Sequence, residues 1–117
     1  VMDFSFSEEQ TLLQDSVARF IQNDYDFAAR QKIIRGEDGF SRAHWRTFAE
    51  LGWLGVPFPE ADGGFGGGAI ESMIMLEQFG KGLVVEPFLP TVVLAGGALK
   101  LAGTAAQKQQ YLAGIID

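Results

Sequence analysis

The chain has 117 residues, of which 47% are hydrophobic, 12% aromatic and 21% charged, and this composition excludes disordered, collagen-like and low-complexity proteins. Its length fits one compact domain over residues 1–117. Acidic residues outnumber basic ones by 15 to 9, for a formal net charge of −6, so no nucleic-acid partner is expected. The absence of cysteine excludes disulfides and thiolate metal sites.

The N-terminus lacks the basic-then-apolar order of a signal peptide. The longest weakly polar stretch, residues 91–103, contains Lys100 and falls short of the ~20 apolar residues that a membrane span needs. We therefore expect a cytoplasmic protein with no membrane span. Val1 precedes Met2, which we expect to be the natural first residue.

The first helix signal is a capping box at residues 7–10. The Ser7 hydroxyl can accept from the amide of Gln10 while the Gln10 side chain returns to the Ser7 amide. Apolar residues then recur at spacings of three and four. Together these signals predict a helix over residues 8–22.

Two further helices are predicted before the middle of the chain. Asp26 is the expected N-cap of the second helix, and Gly36 is its expected left-handed closing residue. Ser41 is the expected N-cap of the third helix, which Gly52 ends.

The rest of the chain alternates breakers with helical patterns. Residues 53–68 carry two prolines and six glycines, so we expect a loop there. A fourth helix is predicted from residue 70 to near Gly80 and Gly82, and a fifth over residues 90–101. A second capping box at residues 104–107 starts the last helix. The sequence therefore predicts an all-α fold, a compact bundle of about six helices.

One glycine-rich segment raises the question of a nucleotide site. Gly64-Phe65-Gly66-Gly67-Gly68-Ala69 fits the spacing G-x-G-x-x-A, and Glu86 follows at about the interval of a ribose-binding acid. That motif requires a preceding strand, and residues 56–59 contain two prolines, which a central parallel strand does not tolerate. We therefore interpret the segment as a structural glycine turn.

Other candidates for chemistry are sparse. His44 is the single histidine, so no second histidine can share a metal with it, and we expect a partly exposed helix residue. We assign no catalytic, cofactor-binding or metal-binding residue. Residues 83–90 combine two prolines with a dense apolar stretch, which favours rigid apolar side chains at a bend between helices. That bend is a candidate pocket wall, and ordinary interhelical packing remains the alternative.

Three segments together resemble the N-terminal helical domain of the acyl-CoA dehydrogenase family. Met2-Asp3-Phe4 with Ser7-Glu8-Glu9-Gln10-Thr11-Leu12-Leu13 is similar to that family's first helix. Residues 49–66, which include Leu51-Gly52-Trp53-Leu54-Gly55 and Pro59-Glu60-Ala61-Asp62-Gly63-Gly64, resemble its "elG-lG---Pe--GG-G" signature. Residues 103–112 resemble its "Gt-eqk--yl" segment. The likeness covers almost the whole chain, in the right order and spacing.

The resemblance implies a flavoenzyme whose central β domain and C-terminal helical domain are absent from this chain. In the family, a glutamate base in the C-terminal domain removes the α-proton of an acyl-CoA thioester while the β-hydride passes to FAD, which yields the 2,3-enoyl-CoA. FAD is therefore expected on the full-length parent and not on this fragment, which we expect to be inactive alone. The implied partners are an acyl-CoA thioester, an electron-transfer acceptor, and dehydrogenase subunits in a homo- or hetero-oligomer.

The resemblance also implies that the first domain contributes a wall of the acyl pocket. The implied substrate-binding residues are apolar, and they are Val85, Phe88, Leu89, Val92, Leu94 and Ala95. The proline-bracketed segment around them looks more like subunits that act on dicarboxylic or ring-bearing thioesters, some of which are heteromeric. Two alternatives therefore stand beside the enzyme: a non-catalytic subunit that assembles with a homologous catalytic chain, and a stand-alone helical interaction domain.

Overall fold

The structure, a computed structural model, describes residues 2–117; Val1, and with it the expectation about the natural start, lies outside the described residues. Within residues 2–117 the chain forms six helical segments, two single 3₁₀ turns and no strand, which confirms the predicted all-α fold. The helices are α1 (Glu8–Asp24), α2 (Phe27–Ile34), α3 (Arg42–Glu50), α4 (Ala69–Gly82), α5 (Leu89–Gly96 continued by Gly97–Ala102) and α6 (Ala105–Gln107, Lys108–Leu112 and Ala113–Ile116).

The helices begin where the capping residues predict. The Ser7 hydroxyl accepts from the Gln10 amide at 3.2 Å, and the Gln10 side chain accepts from the Ser7 amide at 2.9 Å. Asp26 caps α2, Ser41 caps α3, and Thr104 caps α6. In each case the side-chain oxygen accepts a hydrogen bond from a backbone amide of the first turn. Each cap satisfies a donor that the helix itself leaves free.

One helix end differs from the prediction, and another helix ends as predicted but with an unexpected turn. Gly36 is not left-handed; the left-handed glycine after α2 is Gly39, with φ 71°, because the chain first adds a further turn after Ile34. α4 ends at Gly82, as predicted, and the left-handed residue that follows it is Leu83, with φ 51°. Gly82 lies so close to α1 that a Cβ on it would stand 2.8 Å from a methyl of Ile21, so this glycine serves helix packing and its neighbour makes the turn.

The core is rich in aromatic residues and draws on every helix except α2. α1 packs along α4, and the Gln10 side chain donates to Glu71 across the two helix starts at 3.0 Å. The buried core residues are Val17, Phe48, Trp53, Leu54, Val56, Phe58, Met75, Phe79, Phe88, Val92 and Leu112. Four of these belong to residues 53–68, so the segment predicted as a loop is irregular, with two 3₁₀ turns at Trp53–Gly55 and Glu60–Asp62, but it also fills the core.

The molecule is a slab that measures 43 × 42 × 19 Å. Its solvent-accessible surface is 7469 Å², whereas a compact monomer of 12.7 kDa exposes about 6,200 Å². The shape therefore leaves an unusual share of the chain on the surface, including many large apolar side chains.

Candidate functional site

The bend between α4 and α5 is tied down by residues from three other elements. The Arg30 side chain of α2 donates to the carbonyl of Leu83 at 2.7 Å. The amide of Val85 donates to the hydroxyl of Tyr25, the residue that ends α1, at 3.1 Å. These bonds fix the first half of the bend from outside its own helices.

Glu86 fixes the second half of the bend. Its side chain is buried, and its Oε2 accepts from the Tyr25 hydroxyl at 3.2 Å and from the Ser41 amide at 3.3 Å. Within residues 2–117 its Oε1 has no hydrogen-bond partner. We call Tyr25, Arg30, Ser41 and Glu86 the bend clamp.

Burial dominates the chemistry of the Tyr25 hydroxyl. Removal of the phenol from water raises the pKa of Tyr25 to about 12, and the neighbouring Glu86 adds to the rise, while the Val85 amide opposes it. The hydroxyl therefore stays protonated at neutral pH and can donate to Glu86.

α5 starts with an unusual geometry. Leu89–Gly96 is wound as a π-helix before the chain returns to α geometry at Gly97–Ala102, and π segments are rare and often lie at functional sites. Pro90 lies in its first turn, where a missing amide hydrogen costs no helical bond. Gly96 faces Phe58 so closely that a Cβ would stand 2.3 Å from the ring, so α5 packs directly on the core.

An apolar cleft of about 490 Å³ lies between α4 and α5. Met73 and Leu101 stand at the cleft and are exposed. The Lys100 ammonium donates to the carbonyl of Pro57 at 2.9 Å, which ties α5 to the irregular segment. The lining consists of Pro57, Phe58, Gly68, Ala69, Ser72, Met73, Leu76, Val92, Val93, Gly97, Lys100 and Leu101. Such a surface suits a hydrocarbon or ring system better than a polar ligand.

The six residues implied as an acyl-pocket wall divide into two groups. Phe88 and Val92 are buried in the core, with 2% and 1% of their surface exposed, and Val92 also borders the cleft. Val85 is half-buried, and the remaining three, Leu89, Leu94 and Ala95, are exposed. Leu89, Leu94 and Ala95 do not line the cleft between α4 and α5, so of the six implied residues the cleft lining includes Val92 alone.

The glycine-rich segment folds back on itself. The amides of residues 64–67 donate to carbonyls of residues 55–59 at 2.7–3.0 Å, and the Gly68 amide donates to the Glu71 carboxylate at 2.8 Å. A Cβ on Gly64 would stand 2.2 Å from the Phe58 carbonyl oxygen. These amides are therefore occupied, and the geometry agrees with a structural turn and not with a phosphate cradle.

His44 packs among aromatic rings. It is half-buried on α3, with its ring centroid 5.2 Å from that of Phe20 in an edge-on arrangement and 5.5 Å from that of Tyr25. Within the described part of the chain no group of three or more histidine, aspartate or glutamate side chains is placed to hold a metal ion. None of the helices in residues 2–117 is both long and apolar enough to cross a membrane.

Fold and cleft together define an all-helical domain that presents apolar surface. The family model "Acyl-CoA dehydrogenase, N-terminal domain" matches residues 7–117. The chain therefore belongs to the acyl-CoA dehydrogenase family, whose members are oxidoreductases, and corresponds to the N-terminal domain, as the sequence resemblance predicted.

Individual relatives agree with this assignment. The chain is 31% identical over 112 residues to acryloyl-CoA reductase (NADH) of Anaerotignum propionicum, and the match covers 95% of this chain and 28% of the relative. The ChsE4-ChsE5 complex of Mycobacterium tuberculosis matches with a TM-score of 0.89 and 30% identity over 98% of this chain and 32% of that one. A steroid ACAD variant, Tcur3481-Tcur3483, matches with a TM-score of 0.86 and 32% identity over 94% and 30% of the two chains. The chain thus spans about a third or less of the proteins it matches.

The glycine-rich segment has a dinucleotide-like spacing, but its geometry does not suit the pyrophosphate of FAD. Because the amides of residues 64–68 are all bonded internally, the glycine turn has no free donors for a pyrophosphate. The residues present do not fit the phosphates of FAD at this position.

Proposed function

We propose that this chain is the N-terminal domain of an FAD-dependent acyl-CoA dehydrogenase that oxidises an acyl-CoA thioester to the 2,3-enoyl-CoA. The family match supports the enzyme class. The chain spans only about a third of the length of its relatives. This supports a longer parent whose central β and C-terminal helical domains lie outside residues 1–117. We further propose a cytoplasmic location and an electron-transfer acceptor for the parent.

The part proposed for this chain is a wall of the acyl pocket. The observation that carries it is the apolar cleft of about 490 Å³ beside α5. Val92 would contact the acyl group in the cleft, whereas Leu89, Leu94 and Ala95, which are exposed on α5 outside the cleft lining, would extend the wall beyond it. Burial of apolar surface contributes roughly 25 cal/mol per Å² removed from water. Phe88 and Val92 would hold the wall from the core side, with Val85 at the bend.

The chain is proposed to be inactive alone. Its glycine turn does not fit a dinucleotide pyrophosphate, and the proposed glutamate base belongs to a domain outside this chain. What its residues do in the parent is to bind the acyl group, orient it and keep water away from it.

The test is a spectral titration of the full-length protein. We expect a bound flavin whose visible absorption bleaches on addition of one class of acyl-CoA thioester, chosen from straight-chain, dicarboxylic and ring-bearing examples. The 117-residue chain, purified in parallel, should carry no flavin. Stoichiometric flavin on the 117-residue chain would contradict the assignment of roles, and a full-length flavin that no thioester reduces would contradict the dehydrogenase.

A second candidate function is a non-catalytic subunit that assembles with a homologous catalytic chain. It is favoured by the structural match to the ChsE4-ChsE5 complex, in which two different proteins associate. Co-purification separates the two candidates. A full-length protein that turns over as a homo-oligomer would eliminate the partner-only function, whereas activity that appears only with a second, co-purifying dehydrogenase subunit would favour it.

A further inference from the structure

We infer that the bend clamp positions α5 and thereby determines which acyl groups the cleft accepts. This inference rests on the proposed function, because it concerns the acyl selectivity of the parent enzyme. It assigns Tyr25 and Glu86 as positioning residues that act through α5 and not as groups that touch the substrate.

The position of Glu86 determines where α5 begins. The amide of Phe88 donates to the carbonyl of Glu86 at 2.8 Å, and the amide of Thr91 donates to the carbonyl of Pro87 at 3.2 Å. The backbone of residues 86–87 therefore forms the support of the first turn. Any displacement of the Glu86 side chain is transmitted to that turn within two residues.

The residues of the bend clamp lie outside the cleft. Tyr25 ends α1, Ser41 caps α3 and Arg30 belongs to α2, and none of these residues lines the cleft between α4 and α5. A change at the clamp therefore alters the cleft only by moving α5.

The bend clamp lowers the stability of the fold in two respects, so stability alone does not explain it. It buries a carboxylate with one unpartnered oxygen, and it adjoins Leu83, a residue with a side chain in the left-handed region. Apolar side chains of similar volume would hold two helices together with neither penalty. The arrangement is better explained by the fixed direction that hydrogen bonds impose.

The winding of α5 determines which of its side chains face the cleft. In the π segment the residues that point inward are Val92 and Gly96, which are buried, while Leu94 and Ala95 between them are exposed. A π-helix has more residues per turn than an α-helix, so relaxation of the first turn toward α geometry would rotate Val92 and Val93, which line the cleft, relative to α4.

The test uses four variants of the full-length protein: Tyr25→Phe, Glu86→Leu, Glu86→Gln and, as a matched control, Tyr111→Phe. Tyr25→Phe keeps the ring in place and removes both hydrogen bonds of the hydroxyl. Tyr111 is the second tyrosine, is exposed and makes no side-chain hydrogen bond in residues 2–117. For each variant, kcat and KM are measured with one straight-chain and one ring-bearing acyl-CoA, and the melting temperature is recorded.

We expect Tyr25→Phe and Glu86→Leu to change the ratio of kcat/KM between the two thioesters by about fivefold, the effect of about one net hydrogen bond on an equilibrium. The change should lie mainly in KM, with kcat for the better substrate within about twofold. Glu86→Gln, which keeps the acceptor for Tyr25 and Ser41, should retain the wild-type ratio, as should Tyr111→Phe.

Equal losses on both thioesters, in step with a lower melting temperature, would overturn the positioning role and leave a purely structural clamp. An altered ratio in Glu86→Gln or in the control would overturn it as well. A wild-type protein whose flavin is reduced by neither thioester refutes the proposed function itself and the inference with it, and that result is recognised before any variant is made.

Discussion

Phe48 lies at the centre of the aromatic cluster that joins α1, α3 and α4. Its side chain has no exposed surface, and its ring centroid lies 5.4 Å from that of Phe20, 5.2 Å from that of Trp53 and 5.3 Å from that of Phe79. Edge-on and offset contacts of this kind add to the area that such a ring buries.

We therefore expect Phe48→Ala to lower the unfolding free energy of the 117-residue chain by about 3–5 kcal/mol. Phe27→Ala is the control, because Phe27 is 72% exposed, and its effect should stay within about 0.5 kcal/mol. Urea unfolding followed by tryptophan fluorescence measures both. Similar losses for the two variants would contradict the cluster as the centre of the core.

Tyr25 gives the protein a stability that depends on pH in alkaline solution. In the folded chain its pKa is raised from 10.0 to about 12, so the folded state holds the phenolic proton more tightly than the unfolded state. Its contribution is fully present below pH 10.0 and is lost as the pH rises to about 12.

We expect the urea midpoint of the wild-type chain to fall more steeply across this alkaline range than that of Tyr25→Phe. The Tyr111→Phe variant, which keeps Tyr25, should follow the wild type. If Tyr25→Phe and the wild type fall in parallel, the hydroxyl is not buried in solution as it is in the structure.

At the scale of the helix, α5 contains two adjacent glycines with opposite surroundings. A Cβ on Gly96 would stand 2.3 Å from the Phe58 ring, whereas a Cβ on Gly97 would meet nothing within 4 Å. Both residues have helical backbone angles, so alanine suits the backbone of both.

We expect Gly96→Ala to destabilise the chain by about 1–3 kcal/mol, because α5 must move away from Phe58. Gly97→Ala should instead stabilise it by about 0.5–1 kcal/mol, since alanine loses less conformational freedom than glycine in a helix. Differential scanning calorimetry of the two variants decides the point: melting temperatures that shift in the same direction would show that α5 is not packed on Phe58.

How far the sequence predicts this structure depends on how local each signal is. The helix starts are predicted because a cap such as Ser7 bonds to an amide three residues away. The end of α4 near Gly82 is predicted too, but the left-handed turn at Leu83 is not, because Gly82 is needed against Ile21, far away in the chain. The burial of Val92 beside exposed Leu94 and Ala95 is not predicted either, since the π geometry of α5 changes the period on which a helical pattern rests.

The bend clamp shows the same limit at the candidate site. The spacing of Glu86 from the glycine-rich segment suggested a ribose-binding acid, but the structure pairs its carboxylate with Tyr25, 61 residues earlier. Only the topology brings these two side chains together. The family resemblance, by contrast, was fully available from the sequence, because it rests on the order of three local segments.

At the scale of the whole molecule, the slab exposes apolar side chains that the proposed parent would cover with its other domains. The cleft carries Met73 at 49% exposure and Leu101 at 86%. Contiguous apolar surface of this kind promotes association when it is left uncovered.

We expect the 117-residue chain to self-associate at high concentration, as measured by light scattering. Met73→Gln combined with Leu101→Gln should weaken the association by about tenfold or more, whereas Phe27→Gln, which removes an equally exposed ring on α2, should not. A strict monomer at high concentration would contradict the expectation, and equal effects of the variants would remove the cleft as its site.

The thickness of 19 Å affects how other parts of a larger assembly can contact this domain. A slab of this depth is about two helices thick, so two other domains or subunits can contact its two broad sides without obstructing each other. Such a domain can separate two neighbouring parts of a larger assembly while contacting both.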